Sequence, residues 1–87
     1  MDKNSLTVNV FDLKSGLITY KNVSYIRITS KDYNLLVMLD YIPIIGELQG
    51  KVDIKLDQEE IHFNNIKASY INSNNVFNLM IQGEFNE

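Results

Sequence analysis

Hydrophobic and polar residues alternate with a period of two along most of the chain. The clearest case is the segment 51–55, where Val52 and Ile54 alternate with charged neighbours. The segments 6–11, 25–29 and 77–82 show the same alternation. Because successive side chains of a strand point to opposite faces, this period predicts half-buried strands. No long interval carries the stripe of an amphipathic helix, with its period of about 3.6 residues, so the pattern predicts an all-β protein.

Clusters of turn-forming residues separate these segments. They lie at residues 14–16, 30–32, 57–59 and 72–75, and asparagine and glycine favour turns because they tolerate positive φ angles. The predicted strands cover residues 6–12, 17–21, 23–29, 34–39, 42–46, 48–56, 60–66, 68–72 and 76–82. Short strands at such regular intervals indicate a single small β-sandwich or flattened barrel of about eight to ten strands, formed by one domain over residues 1–87.

The only proline of the chain, Pro43, lies inside an apolar run that extends from Tyr41 to Gly46. Proline donates no hydrogen bond to a sheet, so it belongs on an edge strand, at a bulge or in a loop. The proline ring also holds Ile42 in an extended conformation. We therefore predict a rigid, extended apolar loop, whose isoleucines either contact a partner or close the end of the sandwich.

Composition narrows the chemistry that the chain can carry. A chain of 87 residues has room for one hydrophobic core. The absence of cysteine excludes disulfides and thiolate metal sites, and the single histidine excludes a multi-histidine metal site within one chain. The net charge of −3 and the isoelectric point near 5.0 argue against non-specific binding to nucleic acid. We expect no metal and no cofactor.

Catalytic arrangements are hard to assemble from these residues. His62 lies in a predicted strand between Ile61 and Phe63, and we interpret it as an exposed strand histidine. Asp57 and Glu59 lie in a predicted hairpin turn, and their spacing does not match a calcium-binding loop. We expect no catalytic residue, and hence a protein that is not an enzyme.

Stacking of bases on tyrosines is a further possibility, because small β-barrels bind single strands in this way. The chain has five tyrosines, but its eight basic residues are dispersed and are outnumbered by eleven acidic ones. We expect no nucleic-acid partner.

The apolar stretches are short. The longest ones, residues 35–39 and 42–45, fall far below the roughly 20 residues that span a bilayer, and the amino terminus shows no secretory signal. We expect a soluble, cytoplasmic protein that touches a membrane at most peripherally, through a partner.

The serial order of these features resembles one known family. The segments that carry the resemblance are Leu6 to Val10, Ser15-Gly16-Leu17-Ile18, Val23 to Ile28, the loop Leu36 to Ile44, Lys51 to Ile54, the hairpin Asp57 to Glu60, Ile66 to Ile71, and Val76 to Ile81. In this order they resemble the amino-terminal β-sandwich domain of the epsilon subunit of F-type ATP synthases, over essentially the whole chain.

The chain also departs from that family. The first proline, the glycine and the histidine of the family's loop are replaced by Leu39, Asp40 and Tyr41, and its Ser-Gly-Gly bend is replaced by residues 67–69. The carboxy-terminal helical hairpin of the family has no counterpart before Glu87. The family's inhibitory function and ATP-sensing residues are therefore not expected here.

The resemblance implies a non-catalytic subunit of the central stalk. Such a subunit binds the gamma subunit, rests on the rotor ring, and couples ion transport to ATP synthesis on other chains. It would need an apolar patch on one face for gamma and a loop end for the ring. Asn34 corresponds to the position of a carboxylate that the family presents before its loop. The candidate partner-binding residues are Asn34, Tyr41, Ile42, Pro43, Ile44 and Tyr70.

A second hypothesis shares only the sandwich with that family, because a fold does not by itself transfer function. In this alternative the chain is an interaction or adaptor module unrelated to ATP synthase, for example a phage-encoded one. A homodimer formed through edge strands would suit it, since unpaired edges invite additional strands.

Overall fold

The chain forms a seven-stranded sheet. The structure is a computed structural model and describes residues 5–84. Its strands are β1 (Leu6–Asp12), β2 (Gly16–Val23), β3 (Tyr25–Ser30), β4 (Asn34–Val37), β5 (Ile44–Lys55), β6 (Glu60–Ser73) and β7 (Val76–Glu84). The described residues contain no helix, and therefore none that could cross a membrane. The all-β class predicted by the alternation is confirmed.

The strands lie in the order β2-β1-β7-β6-β5-β3-β4. Neighbouring strands are antiparallel, except that β1 and β7 run parallel. Strands β2 and β4 form the two edges of the sheet. The parallel pair places the first and the last strand of the described chain side by side in the middle of one layer.

The long strands β5 and β6 belong to two layers at once. Residues 44–49 of β5 pair with residues 67–72 of β6, which continue the sheet towards β7, β1 and β2. Residues 50–55 of β5 pair with residues 60–66 of β6 on one side and with β3 on the other. The sheet thereby folds over on itself as a small sandwich, and both layers bury their inner side chains in one core. That core comprises Leu6, Val8, Val10, Val23, Ile26, Ile28, Val37, Leu48, Val52, Ile54, Ile66, Ala68, Tyr70, Phe77 and Leu79.

Strand β6 is continuous where the sequence pattern predicts two strands. Its inward side chains are Ile61 and Phe63 at odd positions, and then Ile66 and Ala68 at even positions. The register with β5 shifts between these pairs, and Asn65 has a φ of 55°. A bulge inserts one residue and moves the following side chains to the other face. The sequence pattern is therefore interrupted although the strand is not.

Strand β5 likewise joins the predicted segments 42–46 and 48–56, because Gly46 interrupts the alternation of side chains without ending the strand. Gly46 lies directly opposite Tyr70 in the β5–β6 pair. A β-carbon at Gly46 would lie 2.5 Å from the Tyr70 hydroxyl oxygen, far closer than two such atoms can approach. The Tyr70 ring occupies the space that a side chain at residue 46 would need.

Candidate functional site

An apolar stripe crosses the outer side of the layer formed by β2, β1, β7 and the adjoining halves of β6 and β5. The side chains of this stripe are Ile45, Ile71, Met80, Phe11 and Leu17. Ile45 lies opposite Ile71 in one row, and Met80, Phe11 and Leu17 lie side by side in the next row, so that the stripe steps diagonally from Ile71 to Met80. Ile45 is 76% exposed, Leu17 55% and Phe11 47%. This layer therefore shows solvent a band of large apolar groups drawn from five strands.

Uncharged polar groups continue the row of Ile45 and Ile71, with Asn78, Asn9 and Thr19 next in register, and they lie beside the apolar groups of the neighbouring row. The Asn9 amide donates from Nδ2 to Oδ1 of Asn78 at 2.9 Å, and Thr19 Oγ1 donates to Oδ1 of Asn9 at 2.8 Å. These groups already satisfy part of their hydrogen-bonding capacity within the protein. Covering them costs less than covering unpaired amides, because buried polar groups are costly mainly when they lack a partner.

Charge on this side of the molecule lies around the stripe. Glu47 and Lys67 alternate onto this side from β5 and β6, and Lys21 from the edge strand β2. An apolar centre with charge at its rim is typical of protein-protein interfaces.

The outer side of the other layer is charged. Arg27, Asp53 and His62 lie in one row across β3, β5 and β6, and Lys55 lies opposite Glu60 in the neighbouring row. We call this surface the charged face. The two outer sides of the sandwich thus differ in kind, which the overall net charge of the chain does not indicate.

His62 is paired with a buried carboxylate on the charged face. Its Nδ1 lies 2.6 Å from Oδ1 of Asp53, and its Nε2 lies 3.7 Å from Oε1 of Glu60. Asp53 is only 6% exposed, and Lys51 Nζ lies 4.0 Å from its other oxygen. A general base needs a ring nitrogen that faces a substrate, whereas here each nitrogen faces a carboxylate. His62 therefore links β6 to β5 through its contact with Asp53.

His62 is exposed, as the strand pattern predicts, but its pairing with Asp53 was not predicted. A signal for it existed in the predicted hairpin. Asp53 precedes Asp57 by four residues and His62 follows Gln58 by four, so a turn centred on Asp57 and Gln58 places the two side chains opposite each other. Within residues 5–84, no three histidine or acidic side chains are grouped so that they could hold a metal ion.

The predicted apolar loop connects β4 to β5. Ile42 is 67% exposed and Pro43 is exposed, whereas Tyr41 and Ile44 are half-buried and pack against the core. Ile44 therefore closes the core, one of the two roles that the sequence left open, whereas Ile42 faces solvent and its contact with a partner stays a prediction.

Side-chain amides hold this loop in place. The backbone N–H of Asp40 donates to Oδ1 of Asn75 at 2.6 Å, and Nδ2 of Asn75 donates back to Oδ1 of Asp40 at 3.2 Å. Nδ2 of the buried Asn72 donates to the carbonyl oxygen of Ile42 at 3.4 Å. The loop is thereby tied to the turn between β6 and β7, so that its exposed apolar tip has a defined position.

The remaining predicted contact residues lie elsewhere. Tyr70 is 4% exposed, and its ring stacks on Phe77 with the centroids 5.5 Å apart, so a partner cannot reach it in this structure. Asn34 is exposed at the start of β4, at the opposite end of that strand from the loop. The structure therefore groups Tyr41, Ile42, Pro43 and Ile44 and separates the other two from them.

Comparison with known proteins adds no relative to this geometry. No protein-family profile and no curated protein sequence matches the chain.

Proposed function

We propose that this protein is a non-catalytic interaction subunit that binds a partner protein with its apolar stripe. The single observation that carries the proposal is the exposure of Ile45, Phe11 and Leu17 in one band on one side of the sandwich. Scattered exposed apolar residues are ordinary, but a contiguous apolar patch on a small protein marks an interaction site.

The energetics favour occupation of this band. Full burial of one large apolar side chain stabilises a complex by about 1.5–3 kcal/mol relative to its exposure. Phe11 and its neighbour Met80 are residue types that are enriched at interfaces. Because Asn9 is hydrogen-bonded through both its amide nitrogen and its oxygen, a partner can cover it at little cost in unsatisfied polar groups.

A more specific form of this proposal is a central-stalk subunit of an F-type ATP synthase. That role requires two separate surfaces, namely an apolar face for the gamma subunit and a fixed loop end for the rotor ring. The stripe supplies the first, and the loop tip at Ile42, held by Asn72 and Asn75, supplies the second. In this form the protein is peripheral to the membrane and couples rotation to ATP chemistry on other chains.

Co-expression with the gamma subunit of the same organism tests this form. Size-exclusion chromatography with mass determination should show a one-to-one complex. The variant Phe11→Lys should lose that complex, since it places a charge in the stripe. Tyr25→Lys is the matched control, because it makes the same kind of change on the charged face, and it should keep the complex.

Each possible failure has a separate meaning. If no complex with gamma forms, the stalk role is wrong. If a complex forms and Phe11→Lys retains it, the stripe is not the binding surface.

The second candidate is an interaction module unrelated to ATP synthase. The specific observation in its favour is the edge strand β2, which is eight residues long and largely exposed. Such an edge can recruit another strand. Genes for alpha, beta and gamma subunits beside this gene would favour the stalk subunit, and their absence would favour the module.

A further inference from the structure

The edge strand β2 carries few of the devices that usually protect an edge, namely one lysine and an irregularity near Asn22. It has no proline, and its only charged residue is Lys21. Leu17 and Ile18 are 55% and 39% exposed although they lie on opposite faces of the strand. Natural edge strands are commonly kept short, charged or interrupted to prevent pairing with another chain. An eight-residue edge with apolar groups on both faces is therefore open to pairing with another strand.

We propose that β2 pairs antiparallel with β2 of a second copy of this chain, around a two-fold axis at Thr19. This inference deepens the interaction-module candidate and depends on the edge rather than on the stripe. The two layers would join into one continuous sheet, with both apolar stripes on the same side.

The register follows from geometry. Opposed residues of an antiparallel pair point to the same side of the sheet, so only residues of equal parity can face each other across the axis. The regular part of β2 lies between the turn at Gly16 and the irregularity near Asn22, which has a φ of 60°. Thr19 lies at its middle and would face the Thr19 of the second copy.

This register pairs complementary side chains on both faces. On the core side Ile18 of each copy faces Tyr20 of the other, so that the two-fold axis gives two such pairs. Pairs of aromatic with β-branched residues stabilise antiparallel strands. On the outer side Leu17 faces Lys21, whose aliphatic stem can cover an apolar neighbour. Ile18 points towards the core side, opposite Val10 in register, and yet stays exposed; Tyr20 of the second copy would cover it.

Charge does not oppose this pairing. The two Lys21 side chains would lie about four residues apart along the strands, roughly 13 Å at about 3.3 Å per residue. That separation exceeds the Debye length of about 8 Å at physiological salt, so their repulsion is largely screened. No acidic residue lies on β2, and the net charge of −3 per chain is carried elsewhere.

The other free strand edges of the described chain match β2 less well than β2 of a second copy does. The other edge strand, β4, has only four residues. The free side of β5 is partly covered, because the Tyr33 hydroxyl donates to the carbonyl oxygen of Glu47 at 2.5 Å and Lys31 N–H donates to that of Gln49 at 2.8 Å. Among the described strands, β2 therefore finds an equal partner only in another β2.

Cross-linking tests the register directly, because the chain contains no cysteine. Opposed Cα atoms in antiparallel strands lie about 4.5–5.5 Å apart, within the range that a disulfide spans. Thr19→Cys should form a disulfide-linked dimer under mild oxidation, visible on a non-reducing gel. Lys51→Cys, an exposed position on the charged face, is the control and should cross-link at least tenfold more slowly.

The mass of the unmodified chain in solution provides the second measurement. Light scattering after size exclusion should give twice the chain mass at high protein concentration, and Thr19→Lys should give a folded monomer, because it places two like charges at the axis. Circular dichroism checks that the variant folds, and the cross-linking result stands even if it does not. A monomer at every concentration, equal cross-linking at Thr19→Cys and Lys51→Cys, or a dimer that survives Thr19→Lys would each overturn the proposal.

These results are separate from those of the stripe. Phe11→Lys should leave the dimer intact, whereas Ile18→Asp, on the core side of β2 and away from the stripe, should weaken the dimer and leave binding by the stripe intact. Failure of the edge proposal is thereby distinguishable from failure of the proposed function.

Discussion

The hydroxyl oxygens of Tyr70 and Tyr33 lie 2.9 Å apart and join the core of one layer to the β3–β4 turn of the other. Tyr33 donates its single hydroxyl proton to the carbonyl oxygen of Glu47. Tyr70 must therefore donate to Tyr33. Both hydroxyls thus have a hydrogen-bond partner, and the bond from Tyr33 to Glu47 holds the turn against β5.

Gly46→Ala should destabilise the fold. The new β-carbon would lie 2.5 Å from the Tyr70 hydroxyl oxygen and 2.7 Å from the ring carbon that carries it. Tyr70 cannot swing away easily, because it is buried and stacked on Phe77. Overpacking of this kind costs about 1–3 kcal/mol, which urea unfolding would measure.

Gly83→Ala is the matched control for that substitution. No heavy atom lies within 4 Å of a β-carbon at Gly83, so its free energy of unfolding should change by no more than about 0.5 kcal/mol. Equal effects of the two substitutions would show that the space at Gly46 has no special role.

The stability of the protein should fall at alkaline pH because of Tyr33. Burial raises the pKa of Tyr33 above its ordinary value of 10, and the hydrogen bond that its hydroxyl donates to the Glu47 carbonyl also favours the neutral form. The unfolded chain therefore releases this proton first, so the contribution is complete below pH 10 and is lost as pH rises towards the raised pKa of the folded state. The urea midpoint should drop across this range.

Tyr33→Phe should reduce that alkaline drop. The variant also loses hydrogen bonds and should be about 1 kcal/mol less stable at neutral pH, so the comparison concerns the change with pH rather than the starting value. Tyr25→Phe, in which Tyr33 is intact, should retain the drop. An unchanged drop in Tyr33→Phe would assign it to other groups.

The sequence predicts the strand class well because it depends on local alternation. The segment around Val52 and Ile54 shows this, since its two faces can be assigned from neighbours alone. Alternation fails at Asn65, where a bulge exchanges the faces within one strand. Alternation also gives no indication that Gly46 would lie opposite Tyr70, which is why a buried tyrosine was among the predicted contact residues.

The stripe could not be predicted from the sequence for a different reason. Phe11 and Met80 meet only because β1 and β7 pair in parallel, and this contact joins residues far apart in the chain. Local patterns specify which residues share a face of one strand but not which strands are neighbours. The extended loop around Ile42 could be predicted because Pro43 acts on its immediate neighbours, but the sequence left open which of its isoleucines faces solvent.

The pair of Asp53 and His62 should stabilise the β5–β6 hairpin. His62→Ala removes the partner at 2.6 Å and leaves a carboxylate that is 6% exposed. An unsatisfied buried group costs about 1–3 kcal/mol. A double-mutant cycle with Asp53→Asn, followed by urea unfolding, should give a favourable coupling energy of similar size. Glu60→Gln is the control and should have little effect, because Glu60 lies 3.7 Å from the His62 ring and is exposed. Additive effects of His62→Ala and Asp53→Asn would show that the two side chains do not stabilise the hairpin together.

Adjacent isoleucines at the start of β5 separate folding from binding. Ile44→Asp should lower the free energy of unfolding by about 2 kcal/mol or more, because Ile44 packs against the core and a carboxylate there loses water. Ile45→Asp should lower it by about 1 kcal/mol or less, since Ile45 is 76% exposed. Ile45→Asp should nevertheless weaken binding of a partner at least tenfold, because it places a charge beside Ile71 in the stripe. Urea unfolding and titration calorimetry measure the two effects. If Ile45→Asp binds the partner as tightly as the unmodified chain, this end of the stripe lies outside the interface.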